Sequence, residues 1–273
     1  MTQWIVDVVG GAGQALQVDD ILYDGVSPYQ HVQIAVSPLF GRMLILDDAV
    51  QTTERDEYIY HEMLVHLPLL THPAPRRVLI IGGGDGGTLE EVLKHPIEQA
   101  IMVEIDRAVV DVSRTYLPGI AGGAFDDPRA RLRITDGIAF VRETSDRFDA
   151  VLVDSTDPKG PGVALFSEEF FAMCARVLTA DGILSMQSGS LLYQAELRER
   201  VHRGLSAVFP LVTPYWAAVP AYPGTLWTFT LASRGPDPTR LDREAAARRS
   251  AGFGLRYYSP IVHPAALALP AVP

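Results

Sequence analysis

A glycine-rich segment directly after an apolar run is the feature that most restricts how this chain can fold. Residues 78–81 read Val-Leu-Ile-Ile, and residues 82–87 read Gly-Gly-Gly-Asp-Gly-Gly. A short apolar run bounded by turn residues is typical of a buried strand. Glycine lets the backbone turn sharply or approach a ligand closely, because it has no Cβ. The segment therefore predicts a strand, a tight turn and a helix, in the order that opens the nucleotide-binding units of α/β proteins.

A second apolar run also ends in an acidic turn. Residues 151–153 read Val-Leu-Val, Asp154 follows them, and Asp157 lies three positions further on. Ligands of open α/β sheets bind beyond the carboxyl ends of the strands, so both turns should line one cleft. A cleft with this many carboxylates is expected to bind a cation.

The glycine spacing fits two kinds of nucleoside site. Gly82 and Gly84 form a dinucleotide fingerprint with Gly87, and with Gly86 they form the tighter loop of methyltransferase-like folds. The spacing leaves both open. Glu104 closes the next predicted strand, 22 positions after Gly82, where a carboxylate commonly accepts ribose hydroxyls. Together they indicate an adenosine-type ligand.

Asp85 separates the candidate ligands. A helix N-terminus that binds pyrophosphate uses its amides and its dipole to hold negative charge, so a carboxylate inside the loop would repel the phosphates. Asp85 therefore argues against a dinucleotide. It favours a sulfonium nucleoside with a free amine and disfavours the carboxylate of ordinary S-adenosylmethionine. Alternatively, Asp85 caps the following helix, and the two roles are compatible.

Composition and charge restrict the class of protein. The chain has 273 residues, of which 48% are apolar, and a formal net charge of −10. Such a chain can bury a core, and its charge argues against a nucleic-acid surface and suits cationic small molecules. The lone Cys174 rules out a disulfide within the chain. Asp7 interrupts the first apolar run, and prolines break the apolar stretch at 207–222, so we expect no secretion signal, no membrane span and a cytoplasmic location.

Strand and helix patterns divide the chain into two unequal parts. Residues 1–70 should form a small antiparallel β domain with a connecting helix at 56–70, and residues 71–273 a Rossmann-like catalytic domain. The strands expected in the first part are 4–9, 29–36 and 42–46. In the second part, strands alternate with helices. The strands are expected at 77–81, 100–104, 132–135, 148–154 and 183–187, and the helices at 88–93, 107–116, 137–143, 167–178 and 194–208. A hairpin of 211–216 and 226–231 and a charged helix at 240–250 should follow. This pattern predicts a mostly parallel sheet covered by helices, with a terminal antiparallel hairpin.

The motifs together resemble those of the spermidine synthase (polyamine aminopropyltransferase) family. That family's Tyr-Gln pair, Leu-Asp-Gly with a following Gln, Asp-Glu before Tyr-His-Glu, Gly-Gly-Gly-Asp-Gly-Gly, Glu-Ile-Asp, Asp-Gly and Asp-Ser-Ser-Asp-Pro have counterparts between Tyr29 and Pro161. The ending from Tyr257 to Pro270 is similar too. The resemblance implies a methyltransferase-type fold and transfer of an aminopropyl group from decarboxylated S-adenosylmethionine to putrescine. It implies a co-substrate with no bound cofactor or metal, and a homodimer or homotetramer.

The resemblance also assigns roles to residues of this chain. Asp154 matches the first Asp of Asp-Ser-Ser-Asp-Pro and would be the general base that takes a proton from the attacking amine. The residues that would bind the amine are Asp85, Asp157, Tyr60, His61 and Tyr222. Those that would bind the nucleoside or the donor are Gln30, Gln51, Gly82, Gly84, Glu104, Asp136, Gly137 and Pro161. Without the resemblance, Asp154 and Asp157 would equally fit an Asx-turn before Pro158.

Several departures from the family pattern leave the amine open. They are Asp48, Glu90, Lys159, Gly162, Gly189 and Ala221. Agmatine, cadaverine or spermidine therefore remain alternatives to putrescine. Other functions that the motifs leave open are an S-adenosylmethionine methyltransferase, a non-catalytic polyamine-binding protein and, least in keeping with Asp85, a Rossmann dehydrogenase.

Overall fold

The computed structural model describes residues 3–270, except for the side chain of Pro161. Within these residues the chain forms sheets of two, four and seven strands. The same part of the chain contains no helix that is both long and apolar enough to cross a membrane.

The N-terminal strands form two antiparallel sheets, β1 with β2 and β3 through β6. Their bounds are β1 Gln3–Val9, β2 Ala12–Val18, β3 Asp20–Val26, β4 His31–Ser37, β5 Gly41–Leu46 and β6 Ala49–Thr53. The three predicted strands correspond to β1, β4 and β5, whereas β2, β3 and β6 are not predicted from the sequence. Both β2 and β3 contain glycine, a residue depleted in strands, and β6 has only five residues.

The large sheet and its helices follow in alternation. Their bounds are α1 Glu57–Thr71, β7 Arg77–Gly82, α2 Gly87–Leu93, β8 Gln99–Glu104, α3 Arg107–Tyr116, α4 Pro118–Ala121, β9 Ala130–Ile134, α5 Gly137–Glu143, β10 Phe148–Asp154, α6 Glu168–Val177, β11 Leu178–Ser190, α7 Ala195–Ser206, β12 Leu211–Ala218, β13 Leu226–Ser233, α8 Arg243–Arg249 and α9 Val262–Ala266. Short 3-10 helices cover Ala124–Asp126, Gly160–Phe166 and Pro238–Arg240. The fold class predicted from the sequence is confirmed.

The strand order creates a switch point beside β7. The sheet runs β12-β13-β11-β10-β7-β8-β9, so the chain leaves β7 towards β8 and β9 on one side and returns to β10 and β11 on the other. These five strands are parallel. The last residues of β7 and β10, Gly82 and Asp154, are paired in the register. Ligands of open α/β sheets bind where the strand order reverses in this way, and the two acidic turns therefore meet there.

The terminal hairpin is antiparallel, as predicted, because β13 runs antiparallel to both β12 and β11. Strand β11 begins at Leu178, five residues before the predicted start. Its first residues read Leu-Thr-Ala-Asp-Gly, and an Asp-Gly pair is a common turn signal. Helix α6 includes the buried Cys174, and burial raises the pKa of its thiol.

Helix α1 is held in the core and carries side chains to the cleft. Met63, Leu64 and Leu67 are fully buried against the sheet, and the hydroxyl of Tyr215 on β12 donates to the carbonyl of Met63 (3.2 Å). Glu62 accepts hydrogen bonds from the backbone N–H groups of residues 256–258, at 2.7 to 2.8 Å. The C-terminal segment is therefore tied to the helix that supplies Tyr60 and His61. The division of the chain near residue 70 stays a prediction.

Candidate active site

One cleft lies beyond the carboxyl ends of the central strands, between the large sheet and the N-terminal sheets. The predicted site residues that line it are Gln30, Gln51, Tyr60, His61, Gly82, Gly84, Asp85, Glu104, Asp136, Gly137, Asp154, Asp157 and Tyr222. Pro161 belongs to the 3-10 helix Gly160–Phe166 beside the cleft, and its side chain lies outside the described part of the structure. The structure thus brings together residues from distant parts of the sequence. Their individual roles stay predictions.

The glycine loop has the geometry that its sequence requires. Gly82 has a φ of +84°, and a Cβ at this position would lie 2.0 Å from the carbonyl oxygen of Asp154. The loop turns back so that Gly83 N–H donates to that same carbonyl (2.8 Å). Only glycine fits so close to a neighbouring strand. The turn places Asp85 directly above the strand ends.

Asp85 has two different neighbours. Its Oδ1 accepts the backbone N–H of Gly87 (2.9 Å), at the start of α2. Its Oδ2 lies 3.5 Å from Nε2 of His61. The N-cap of α2 is Gly86, so the bond from Gly87 N–H closes a local turn before the helix, while the other carboxylate oxygen faces the charged neighbour.

Asp154 faces the same point from the end of β10. Its Oδ2 accepts the hydroxyl of Thr88 (2.6 Å), and ligand-type atoms of His61, Asp85 and Asp154 all lie within 4.8 Å of one another. Two carboxylates and one imidazole therefore share a small space at the bottom of the cleft. Charge on any one of them must affect the other two.

Their surroundings shift the pKa values of the two carboxylates in opposite directions. Burial raises the pKa of Asp154, the negative charge of Asp85 raises it further, and His61, Thr88 and Tyr60 oppose the rise. Burial would raise the pKa of Asp85 as well, but the charge and hydrogen bond of His61, with the Gly87 N–H, hold it below the usual value. Such a divergence is typical of an acid and base pair. Asp154 is the member that takes up a proton more readily.

The neighbours of His61 favour its charged form despite its burial. Burial disfavours the imidazolium, but Asp85 and Glu57 together raise the pKa of His61 well above its usual value. Its two ring nitrogens then both carry protons and face carboxylates. His61, Asp85 and Asp154 are residue types that bind metal ions, and they lie close together. In its doubly protonated state, however, His61 has no ring lone pair with which to bind a metal ion.

Asp157 is held by two glutamines that were not predicted as site residues. Gln194 Nε2 donates to its Oδ2 (2.8 Å). Gln187 Nε2 lies 3.5 Å from Oδ1 and also donates to the carbonyls of Ser155 and Thr156, both at 3.3 Å. Burial raises the pKa of Asp157, and the glutamines oppose the rise. Gln187 thus fixes the whole turn after β10, and a lone glutamine within an apolar strand gives no signal in the sequence.

Aromatic side chains form one wall of the cleft. The rings of Tyr60 and Tyr222 are edge to face with centroids 5.8 Å apart, and Trp227 lies edge to face with Tyr222 at 4.8 Å. The Tyr222 hydroxyl donates to the carbonyl of Gln51 (2.5 Å), which links the terminal hairpin to the N-terminal sheet. Such a wall suits the methylenes of an alkyl amine and attracts its cationic end.

The groups expected for a nucleoside also line the cleft. Glu104 is buried at the end of β8, where its Oε1 accepts the N–H of Asp106 (2.8 Å) and burial raises its pKa to about 7. Asp106 accepts the side-chain amide of Gln30 (2.9 Å) and so orients it. Asp136 caps α5 through a single oxygen, Oδ1, which leaves Oδ2 for a ligand. Asp106 itself is not among the predicted site residues.

Three charged residues of the cleft are also additional to the predicted set: Asp7, Asp47 and Lys159. Asp7 on β1 is buried, accepts the N–H of Val50 (3.0 Å) and has its pKa raised to about 6, chiefly by burial. The exposed Lys159 lines the same cleft and lowers the pKa of both Asp7 and Asp157 by its charge. Asp7 was noted in the sequence only as an interruption of an apolar run.

Relatives of this chain are known across its whole length. Residues 3–54 match the family model of the spermidine synthase tetramerisation domain, and residues 57–242 match that of the spermine/spermidine synthase domain. A polyamine aminopropyltransferase of Erwinia tasmaniensis is 47% identical over 270 residues, covering 98% of this chain and 95% of the relative. One from Desulforudis audaxviator is 46% identical over 255 residues, covering 93% and 91%.

Solved structures agree with these sequence matches. A spermidine synthase crystallised with the transition state analogue AdoDATO superposes with a TM-score of 0.94 at 41% identity, covering 98% of this chain and 92% of that one. The spermidine synthase of Thermotoga maritima superposes with a TM-score of 0.91 at 39% identity, covering 98% and 91%.

Proposed function

Since the chain belongs to the spermine/spermidine synthase family and is a polyamine aminopropyltransferase, we propose that it transfers the aminopropyl group of decarboxylated S-adenosylmethionine to putrescine. The products are spermidine and methylthioadenosine. The family uses decarboxylated S-adenosylmethionine as a co-substrate. The acceptor and the chemical roles of single residues are the parts proposed here.

The proposed reaction is an in-line displacement. The neutral nitrogen of the diamine attacks the carbon bonded to the sulfonium, and the C–S bond breaks with its electron pair going to sulfur. The attacking nitrogen passes its proton to Asp154. Holding nucleophile and electrophile in line supplies much of the rate gain, and a positioned base contributes about 10²–10⁴-fold more.

One observation carries this proposal: Asp154 and Asp85 share the switch point of the sheet with diverging pKa values. The raised pKa of Asp154 brings it closer to that of an amine, which favours proton transfer. Asp85 remains charged and can pair with the free amine of the donor. Glu104, which also lines the cleft, can accept ribose hydroxyls, and the tyrosine wall can enclose the diamine.

A panel of acceptors tests the proposed substrate. The protein is incubated with decarboxylated S-adenosylmethionine and putrescine, cadaverine, agmatine or spermidine, and methylthioadenosine is measured. We expect the highest kcat/KM with putrescine. A higher kcat/KM for another amine would change the proposed acceptor but leave the proposed reaction in place. Methyl transfer, or amine binding with no product from any acceptor, would overturn the reaction itself.

We also propose that the chain forms a homotetramer through its N-terminal sheets. The match of residues 3–54 to a tetramerisation domain supports oligomerisation. Trp4, Val6 and Val8 form an apolar row on β1, each 54% exposed. Light scattering after size-exclusion chromatography should give four times the chain mass, and Trp4→Asp should lower it, whereas Ile261→Asp at another exposed apolar position should not. A monomeric wild type would contradict this assembly.

A further inference from the structure

Glu57 is a largely buried carboxylate next to the cleft, and the proposed mechanism gives it no role. It is the first residue of α1, and its side chain is 12% exposed. Its Oε2 accepts from Nδ1 of His61 at 2.9 Å, one helical turn further on. Its Oε1 accepts from Nη2 of Arg256 at 2.6 Å. Both oxygens are therefore bound to cationic groups.

These contacts form part of a row of alternating charges that runs from the surface into the cleft. Arg256, with a half-exposed side chain, pairs with Glu57, Glu57 pairs with His61, and His61 Nε2 lies 3.5 Å from Oδ2 of Asp85. Asp154 lies next to Asp85 at the inner end of the row. Each charge in the row is stabilised by the opposite charge beside it.

The row has little freedom to rearrange. A Cβ at position 87 would lie 2.2 Å from the His61 ring, so Gly87 leaves space for that ring and for nothing more. With its ring held there, His61 faces Asp85 through Nε2 and Glu57 through Nδ1. A carboxylate at Nδ1 favours the imidazolium, in which Nε2 also carries a proton. Without that carboxylate the neutral imidazole is favoured.

We propose that Glu57 is a positioning residue for aminopropyl transfer, which acts through His61 to keep Asp85 ionised and leave Asp154 as the carboxylate that accepts the proton. The inference rests on the proposed function. According to this inference, Glu57 determines which of Asp85 and Asp154 accepts the proton, although Glu57 itself touches neither substrate. In the reaction itself His61 keeps both of its protons, and the proton of the amine goes to Asp154.

Among residues 3–270, the other acids near His61 have different partners. Glu91 on α2 is engaged by His66 (2.8 Å) and Lys94 (2.7 Å). Asp56, which precedes Glu57, accepts from Thr53 (2.6 Å) and from the N–H of Ala221 (2.8 Å). The remaining charged groups that face His61 are Asp85 and Asp154 themselves, and Tyr60 lies edge to face against its ring. Glu57 is thus the available partner for Nδ1.

The charge state of His61 can be measured without turnover. In ¹⁵N-labelled wild-type protein, the His61 resonances, identified by their loss in His61→Gln, should report an imidazolium at pH 7.5. In Glu57→Gln the apparent pKa of His61 should fall by at least about one unit, because one of its two anionic partners is gone. A neutral His61 in the wild type overturns the proposal, whatever the activity and whether or not the variant folds.

The pH dependence of kcat/KM for the amine gives the second readout. Without the positive charge of His61, Asp154 and Asp85 stay protonated to higher pH. In Glu57→Gln the ascending limb of the plot of kcat/KM against pH should therefore move to higher pH by about one unit. At pH values below the wild-type midpoint kcat/KM should then fall about tenfold, and it should recover at alkaline pH. Glu57→Asp, which keeps the charge, should move the limb less. Glu244→Gln, which breaks an exposed ion pair between α8 residues four apart, should not move it.

A uniform loss of rate in Glu57→Gln at every pH would show a merely structural role and overturn the proposal. A wild-type protein that makes no methylthioadenosine from any amine would refute the proposed function instead, and the His61 titration would still be informative.

Discussion

Asp85 and Asp154 differ in their surroundings and not in their chemistry. Asp85 is paired with His61 and a backbone N–H, whereas Asp154 has hydroxyl donors and the negative charge of Asp85 beside it. At the residue scale these surroundings support the proposed division of roles, with Asp85 as a charged anchor and Asp154 as the proton acceptor. A neighbouring histidine makes this division, and neither aspartate could do so alone.

Asp85 should determine which donor the cleft prefers. Its carboxylate can pair with the donor amine and repels the extra carboxylate of ordinary S-adenosylmethionine. In Asp85→Asn the ratio of the Kd values of the two donors should move towards unity, as measured by competition binding, while Asp111→Asn, at an exposed ion pair, leaves it unchanged. An unchanged ratio in Asp85→Asn would mean that selectivity arises elsewhere.

Glu104 should make nucleoside binding depend on pH. Its pKa is raised to about 7 by burial, and the ionised form is the better acceptor of ribose hydroxyls. Calorimetry should show that methylthioadenosine binds more tightly as the pH rises from 6 to 8. Glu104→Gln should remove this trend and weaken the nucleoside more than the diamine, whereas Glu98→Gln at the surface changes neither. Equal losses for both ligands would argue against a ribose contact.

At the scale of elements, the parts with strong periodic patterns could be predicted from the sequence. The loops after β7 and β10, the parallel strands and α1 all follow from apolar runs with clear breaks. The half-exposed strands β2 and β3 could not be predicted, since glycines and polar residues dilute their pattern. Gln187 and Asp106 were missed for a related reason: they act by orienting neighbours, and only tertiary contacts reveal this.

A buried histidine pair joins helix α1 to the segment that follows α2. His66 Nδ1 lies 2.9 Å from His95 Nε2, and His66 Nε2 lies 2.8 Å from Oε2 of Glu91. Burial lowers the pKa of His66 to about 3 and that of His95 well below its usual value. The folded state therefore binds fewer protons than the unfolded state between pH 3 and 6.5, and stability is lost as the pH falls through this window.

This pair should make unfolding steeply pH-dependent. Below pH 6.5 the wild type should lose about 1.4 kcal/mol of unfolding free energy per pH unit through His66. Urea denaturation at pH 7, 6 and 5 measures the slope. His66→Gln should lower stability at pH 7 and flatten the slope, whereas His202→Gln, at an exposed position on α7, should leave the slope as it is. Parallel slopes for His66→Gln and wild type would contradict this assignment.

At the scale of the whole molecule, the cleft exists because separate parts of the chain meet over one sheet. The large sheet supplies Asp85, Glu104 and Asp154, and the N-terminal strands supply Gln30 and Gln51. The terminal hairpin adds Tyr222, which is hydrogen-bonded back to the N-terminal sheet. The sequence could indicate the family and 13 of the residues that line the cleft, but the distances that couple Asp85, Asp154 and His61 depend on this assembly.

The most direct test of the account compares turnover and nucleoside binding in Asp154→Asn. If Asp154 accepts the proton of the attacking amine, kcat for methylthioadenosine formation should fall by about 10²–10⁴-fold, while the Kd for methylthioadenosine changes little. Asp111→Asn provides the matched control, with wild-type values for both. An Asp154→Asn variant that keeps more than about half of the wild-type kcat would contradict the account, since a lost general base costs far more than that.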